Sequence, residues 1–363
     1  MKKNLFFTVF VCACLASCVN ESETLLKESK GQRLTFGAPV MYNQSRHVGE
    51  IDGDAYPTGE SFTVFGIEHE GVFDGWEATN VIKDAQGNGF FPTAGEVVKK
   101  SQTENYWYTE KDYYLPTEPN RYLSFAAYSP SSATANGAFT YGAAGLTITD
   151  WRMPDAAADM YDLMYSTRTT DVTTDVVNIA FLHALSSIHI NFAKSTENGP
   201  YSVVVTKVAI KGTDIKNKGT FKDNITTDED GTAVAAPAWD GLTTDGIPAE
   251  YTILNSEYDV TTTAAEPTAS ADFLPIPQDL TDNMKLVISY KINMKKDEAY
   301  QVVTDLEIPF KDFKVNDEVI TTKWERAKRY FYTVTFGGLT KIKFNPSVTD
   351  WEDVSDAGTY VIQ

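Results

Sequence analysis

Leu286-Val287-Ile288-Ser289-Tyr290-Lys291-Ile292-Asn293-Met294 decides the fold class. Leu286, Ile288, Tyr290, Ile292 and Met294 fall on one face of an extended chain, and Val287, Ser289, Lys291 and Asn293 on the other. A period of two belongs to a strand with one buried face. The pattern repeats outward in both directions. Tyr300, Val302, Thr304, Leu306, Ile308 and Phe310 share a face, as do Tyr330, Tyr332, Val334 and Phe336. Upstream, Val204, Thr206, Val208 and Ile210 alternate with Val205, Lys207 and Ala209, and Ile188, Ile190 and Phe192 with His189 and Asn191. Residues 61–68 (SFTVFGIE) form a further strand. Residues 106–114 and 122–128 read as aromatic-rich strands, the second stopped by Ser129-Pro130.

Helical patterning is scarce. Residues 181–187 (FLHALSS) fit one helical turn or the entry to a strand, and the Thr/Asp/Ala-rich stretches 226–236 and 261–271 within 212–284 read as exposed loops or an insertion. Many short strands separated by Gly, Asn, Asp and Pro turns predict an all-β protein built of sandwiches. A chain of 363 residues is long for a single core. The expected architecture is two transthyretin-like, Greek-key β-sandwich domains in tandem, residues 47–180 and 181–363.

The first 17 residues stand outside that fold. Lys2 and Lys3 form a positive n-region, residues 5–15 an apolar h-region, and small residues follow. The run is too short to span a bilayer and has the order of a secretory signal peptide. It ends in Leu15-Ala16-Ser17-Cys18, which looks like the lipobox of bacterial lipoproteins. That resemblance implies cleavage before Cys18 and a lipid on its sulfur, which anchors a chain without spanning the membrane. Residues 19–33 are polar and read as a tether, and residues 19–23 (VNESE) resemble the signal that sends some Bacteroidota lipoproteins to the outer face of the outer membrane. Residues 34–41 are strand-like but contain Gly37 and Pro39, and a proline cannot donate to a ladder, so an edge position is expected. Residues 42–60 read as a loop.

Cysteine and charge exclude several chemistries. Cys12 and Cys14 leave with the signal peptide and Cys18 takes the lipid, so the folded part has no thiol nucleophile, disulfide or Cys-based metal site. The formal charge of −19 becomes −21 once Lys2 and Lys3 are lost. Such a chain repels phosphate backbones, and no nucleic-acid partner is expected. No HExxH, GxSxG, Walker A or GxGxxG motif occurs. Of the four histidines, His183 between Leu182 and Ala184 reads as structural, His69 between Glu68 and Glu70 as part of a solvated charged turn, and His47 as a loop residue. Asp52-Gly53-Asp54 and Asp228-Glu229-Asp230-Gly231 offer oxygens to calcium but lack the EF-hand spacing. With 50 acidic residues, no glycosidase pair can be singled out. No enzyme activity, cofactor or metal is expected. Tyr106-Trp107-Tyr108 and Tyr113-Tyr114 offer stacking surfaces for sugars, but alternate aromatics more simply fill a sandwich core.

Four patches, taken in order, resemble the Bacteroidales fimbrillin family, the subunits of type V pili. The first runs from Cys18 through the tether and strand 34–41 to Tyr42-Asn43-Gln44-Ser45-Arg46 and then strand 61–68. The second is residues 181–188 (FLHALSSI), like the family's F-x-H-A-L element. The third is residues 324–336 (WERAKRYFYTVTF), and the fourth residues 342–354 (IKFNPSVTDWEDV), like its C-terminal V-x-x-W region. The resemblance implies a lipoprotein precursor delivered to the outer membrane and cell surface. A trypsin-like, arginine-specific protease then cuts just past the first strand and opens a groove, which a strand of another pilin subunit fills. Residues 18–46 would be the tether and removable strand, with Leu34, Phe36 and Val40 as its apolar anchors. Arg46 suits the cut. Arg33 is the second candidate, but cutting there would leave the strand attached. About five buried apolar side chains would give roughly 8–15 kcal/mol of gross gain. Residues 345–363, with Trp351, Val354, Tyr360 and Ile362, are the candidate donor strand, or else the last strand of the second domain. In the latter case a tip or accessory subunit is the alternative to a stalk subunit. The other rivals are a lipid-anchored surface glycan-binding protein and a surface enzyme with a carboxylate site.

Overall fold

The computed structural model of the chain describes residues 31–41, 56–103, 106–166, 168–196, 201–227, 233–293, 299–315, 318–319, 322–337 and 342–350. Among them are strands and three short 3-10 turns, with no α-helix and no helix long and apolar enough to cross a membrane. The all-β expectation is met.

The first half is an 11-stranded sheet that closes on itself. Strand Ser61–Glu70 lies at its centre, paired antiparallel with Glu96–Lys100 on one side and Arg121–Ser129 on the other. Trp107–Thr109 follows Glu96–Lys100, and Met164–Ser166 and Ala180–His183 follow Arg121–Ser129. The first strands of the chain, Thr35–Phe36 and Val40–Met41, complete the circuit. Phe62 and Val64 point to the inside of this closed sheet, with Phe36, Trp107, Phe125 and Phe181, whereas Phe65 and Ile67 belong to a second core outside it. Both faces of Ser61–Glu70 are therefore buried, which explains its apolar residues of both parities. At Gly66 a Cβ would stand 2.7 Å from Phe91 Cδ2 and 3.0 Å from Phe125 Cε1. Gly66→Ala is expected to cost about 1–3 kcal/mol by overpacking, read as a lower urea midpoint at unchanged slope.

The second core runs through the rest of the molecule. It joins Tyr128, Trp151 and Tyr165 to Phe221, Ile188, Val208, Tyr251, Ile288 and Tyr332. A four-stranded sheet pairs Gly145–Arg152 with Lys218–Lys222, so residues on either side of position 180 share one sheet. Beyond it, Ser202–Lys211, Lys285–Asn293 and Gln301–Pro309 form an antiparallel sheet, and Ser187–Lys194, Lys328–Phe336 and Ile342–Asp350 another, with the first pair parallel.

Several readings need correction. Of the two stretches read as exposed loops, 261–271 holds no named strand and is mostly exposed, whereas 226–236 is flanked by a short hairpin in which Ile225–Thr227 pairs with Ala233–Ala235. Between and around them Lys218–Lys222, Ala238–Thr243 and Tyr251–Leu254 are strands, and Phe221, Tyr251, Phe273 and Ile276 are buried. Alternation fails in Gln301–Pro309, where Val302 is 62 % exposed and Tyr300 just before it is 45 % exposed. The ladder to Lys285–Asn293 shifts register opposite Ile288 to Tyr290, and Asp305 has φ 50. This bulge lies in a strand at the border of its sheet, a place where bulges discourage further pairing. His69 is not in a solvated turn. It is fully buried inside Ser61–Glu70, with Nε2 2.9 Å from Ser124 Oγ and Nδ1 3.0 Å from the Gly71 carbonyl. Strand alternation turns Glu68 and Glu70 outward and His69 inward.

Candidate functional site

The closing segment 33–41 is the feature with a mechanical consequence. Its backbone is bonded on two sides. The Thr35, Gly37 and Val40 N–H groups donate to the carbonyls of Asp175, Val177 and Ile179 at 2.7, 2.9 and 2.8 Å. On the other side Leu34 N–H donates to Tyr113 O at 2.8 Å and Leu115 N–H to Gln32 O at 2.9 Å. The segment runs parallel to residues 176–181 and antiparallel to the neighbouring Trp107–Thr109 strand. The sequence expects an edge strand. Instead Thr35–Phe36 is paired on both sides, and Val40–Met41 stands at one end of the sheet path with Val176–Val177 at the other. Pro39 sits in the gap between the two ladders, where its missing N–H costs nothing.

Leu34 is 3 % and Phe36 1 % exposed. The Phe36 ring meets Phe62 and Phe125 edge to face, with centroids at 6.1 and 6.0 Å. Tyr56, just downstream of the closing segment, caps the same cluster against Trp107, Phe62 and Phe181 at 5.1, 5.6 and 5.7 Å. Its hydroxyl shares a hydrogen bond of 2.6 Å with Ser129 Oγ, and burial raises its pKa. Val40 is 47 % exposed, and Pro39 is buried in its place. The break after Gly37 exchanges the faces. Two large anchors give roughly 3–6 kcal/mol of gross gain at about 1.5–3 each, less than five would. The backbone bonds add about 0.5–1.5 kcal/mol each.

Arg33 lies inside this arrangement. It bridges Tyr114 and pairs with Asp112 at 2.7 Å. Cys18, Arg46, Trp351, Val354, Tyr360 and Ile362 lie outside the described residues, as do His47 and the acidic stretches 52–54 and 228–231. Among the described residues no three acidic, histidine or cysteine groups gather as for a metal. Of the candidate donor segment, residues 345–350 are already paired, since Ile342–Asp350 matches Lys328–Phe336 residue for residue. The aromatic runs fill the core at Trp107 and Tyr113, which are 1 % and 9 % exposed.

Two further constellations were invisible in the sequence. Ser187 Oγ is 2.8 Å from His189 Nε2, and His189 Nδ1 is 3.0 Å from Glu266 Oε2. The connectivity is that of a nucleophile, base and acid. Ser187 is 1 % exposed, however, and a substrate carbonyl has no approach to its oxygen. His183, 2.8 Å from Asp162, is likewise sealed in.

The second constellation opens to solvent. A cavity of about 960 Å³ lies where the closed sheet meets the second half, lined by Phe73, Trp76, Arg168, Asp223 and Arg326 among others. Burial pushes the Asp223 carboxyl up from 3.8 to about 6, although Arg168 and Arg326 pull it down. Because its folded value lies above its unfolded one, the group contributes stability that is complete below pH 3.8 and lost as the pH rises through about 6. A shift of about two units corresponds to roughly 3 kcal/mol. Asp223→Asn is therefore expected to flatten the stability profile between those pH values relative to the natural chain, measured by urea midpoints at each pH. Parallel profiles would refute the burial argument.

Residues 55–351 match the family model described as fimbrillin-like. No curated protein matches the chain. Among solved structures, a fimbrial protein from Bacteroides vulgatus is similar at 16 % identity over 88 % of this chain and 99 % of that one, with a TM-score of 0.55. A protein provisionally described as a cell adhesion protein from Bacteroides uniformis shares 15 % identity over 88 % and 98 %, with a TM-score of 0.46. A fimbrial assembly protein from Parabacteroides distasonis shares 14 % over 87 % and 99 %, with a TM-score of 0.31.

Proposed function

The chain belongs to the fimbrillin-like family, and from that premise we propose that it is a structural subunit of a cell-surface pilus that supports adhesion. It is exported as a lipoprotein through Cys18, cut after Arg46 and polymerised by strand exchange. The observation that carries this reading is the closing segment. Residues 33–41 fill a slot between residues 107–115 and 175–181, and they enter it from the N-terminal end of the chain. A single cut between Met41 and Tyr56 would sever the segment from the rest of the sheet. Once severed, it loses the effective concentration, of order millimolar, that a short tether provides. An emptied slot exposes two rows of unpaired backbone groups, which another strand satisfies. Arg33 is a poor cutting site because it is held in the structure by Tyr114 and Asp112, whereas Arg46 lies beyond the strand.

One observation favours the accessory variant of this reading. Ile342–Asp350 already completes its own sheet, so a donor strand must come from residues 351–363 or from a strand that leaves Lys328–Phe336. A tip subunit needs no donor.

Limited digestion of the lipid-free precursor with trypsin, followed by intact mass and native gels, tests the proposal. Release of a fragment ending at Arg46 and a ladder of oligomers supports a polymerising subunit. The same cut without a ladder supports the tip variant. Resistance of Arg46 while other sites are cut would overturn both.

A further inference from the structure

We infer that the cavity between the closed sheet and the second half is a binding site for a carboxylate-bearing sugar. Its walls come from four distant parts of the chain. Phe73 and Trp76 stand on the loop after Ser61–Glu70, Arg168 precedes Thr169–Val172, Asp223 follows Lys218–Lys222, and Arg326 precedes Lys328–Phe336. The aromatic wall is fixed. Asn80 Nδ2 donates to the carbonyls of Glu70 at 2.8 Å and Val72 at 3.2 Å, Phe73 N–H donates to Asp171 Oδ1 at 2.8 Å, and the Trp76 ring packs 4.2 Å from Tyr141. Arg326 is also fixed, its Nη1 donating to the Tyr165 hydroxyl at 3.0 Å and to the His183 carbonyl at 3.1 Å.

Arg168 differs. Its guanidinium lies 5.3 Å from the Phe73 ring centre, and it makes no hydrogen bond or ion pair with any described residue. A half-buried arginine with its fork unused is a ready partner for a carboxylate, which matches it with two parallel bonds. Arg168 and Arg326 share the lining with Asp223 and with the exposed Asp74 and Glu77, so an anion is held by the open fork of Arg168 and not by net charge. A doubly charged phosphate would meet Asp223 with twice the like charge of a carboxylate. The remaining surface suits a pyranose ring: the half-buried Phe73, backed by the buried Trp76, gives an apolar face for its C–H groups, and the exposed Asp74 and Glu77 at the rim accept hydrogen bonds from hydroxyls. A second cavity of about 710 Å³ shares Pro237 and Arg326 with the first and carries Trp239, so a longer saccharide has a continuous path.

The test titrates the intact chain by calorimetry with glucuronic acid or N-acetylneuraminic acid, and with glucose, acetate and inorganic phosphate as separated parts of the same chemistry. The acidic sugars are expected to bind at least about tenfold more tightly than any of the three others. Arg168→Gln is expected to remove that binding while moving the melting temperature by no more than about 2 °C, since the side chain makes no hydrogen bond or ion pair with a described residue and loses only its contact with the Phe73 ring. Arg168→Lys should fall between, keeping the charge without the fork. Equal binding of acetate or phosphate would overturn the sugar site in favour of a bare anion site. Unchanged binding in Arg168→Gln, or no heat from either acidic sugar at millimolar concentration, would overturn it outright. None of these outcomes depends on whether the chain polymerises.

Discussion

Phe36→Ala in the uncut precursor is expected to lower stability by about 3–5 kcal/mol, the usual cost of emptying a phenylalanine-sized hole in a packed core. Phe36 is 1 % exposed and its ring touches Phe62 and Phe125, so neither neighbour collapses into the space without breaking its own contacts. The melting temperature should fall on the order of 10 °C. Val40, four residues on, is the internal control. It is 47 % exposed, and Val40→Ala should change stability by less than about 0.5 kcal/mol. A melt series on the two variants decides the matter. Equal, mild effects would mean that the first strand is not seated as described, and the argument for a removable plug would lose its basis. A large effect at Phe36 alone would place the plug's hold on the sheet in one or two side chains and a short ladder. That is strong enough to close the slot and weak enough to be displaced.

Arg46→Ala should leave the precursor folded and uncut by an arginine-specific protease, and oligomers should fall below detection on a native gel. The natural chain treated in parallel should lose its N-terminal fragment and assemble. Arg33→Ala provides the comparison. It removes an ion pair with Asp112 whose members are 40 % and 51 % exposed, worth at most about 1 kcal/mol, and assembly should survive. If Arg46→Ala polymerises as readily as the natural chain, release of the strand is not the activating step.

How far these features were legible in the sequence differs from residue to residue, for physical reasons. The strand Lys285–Asn293 was plain because its residue types alternate without a break and Leu286, Ile288, Tyr290 and Ile292 meet a core, although Val287, Ser289 and Asn293 on the other face are buried too. Its neighbour Gln301–Pro309 misled because the bulge around Asp305 changes the face without changing the residue types. Leu34 and Phe36 were legible as anchors, whereas the exchange of Pro39 for Val40 depended on a gap in the ladder that no local pattern signals. The pairing of Gly145–Arg152 with Lys218–Lys222 is a contact between distant segments, and the motif-free sequence between them offered no hint of it. Arg168, Asp223 and Arg326 meet for the same reason. Each alone is an ordinary charged residue, and only the topology brings them to one cavity.

The direction of the first strand has one last consequence. It lies parallel to residues 176–181 on one flank and antiparallel to Trp107–Thr109 on the other, so the slot has a fixed sense, and a replacement running backwards would lose the register on both flanks at once. A strand contributed by a second copy from its opposite end makes a heterologous contact that does not close on itself, and such contacts propagate as open filaments. Every subunit would then point the same way. The two ends of the fibre would be chemically unlike, one presenting an open slot and the other an unspent strand. Growth would be vectorial, each end accepting only its complement.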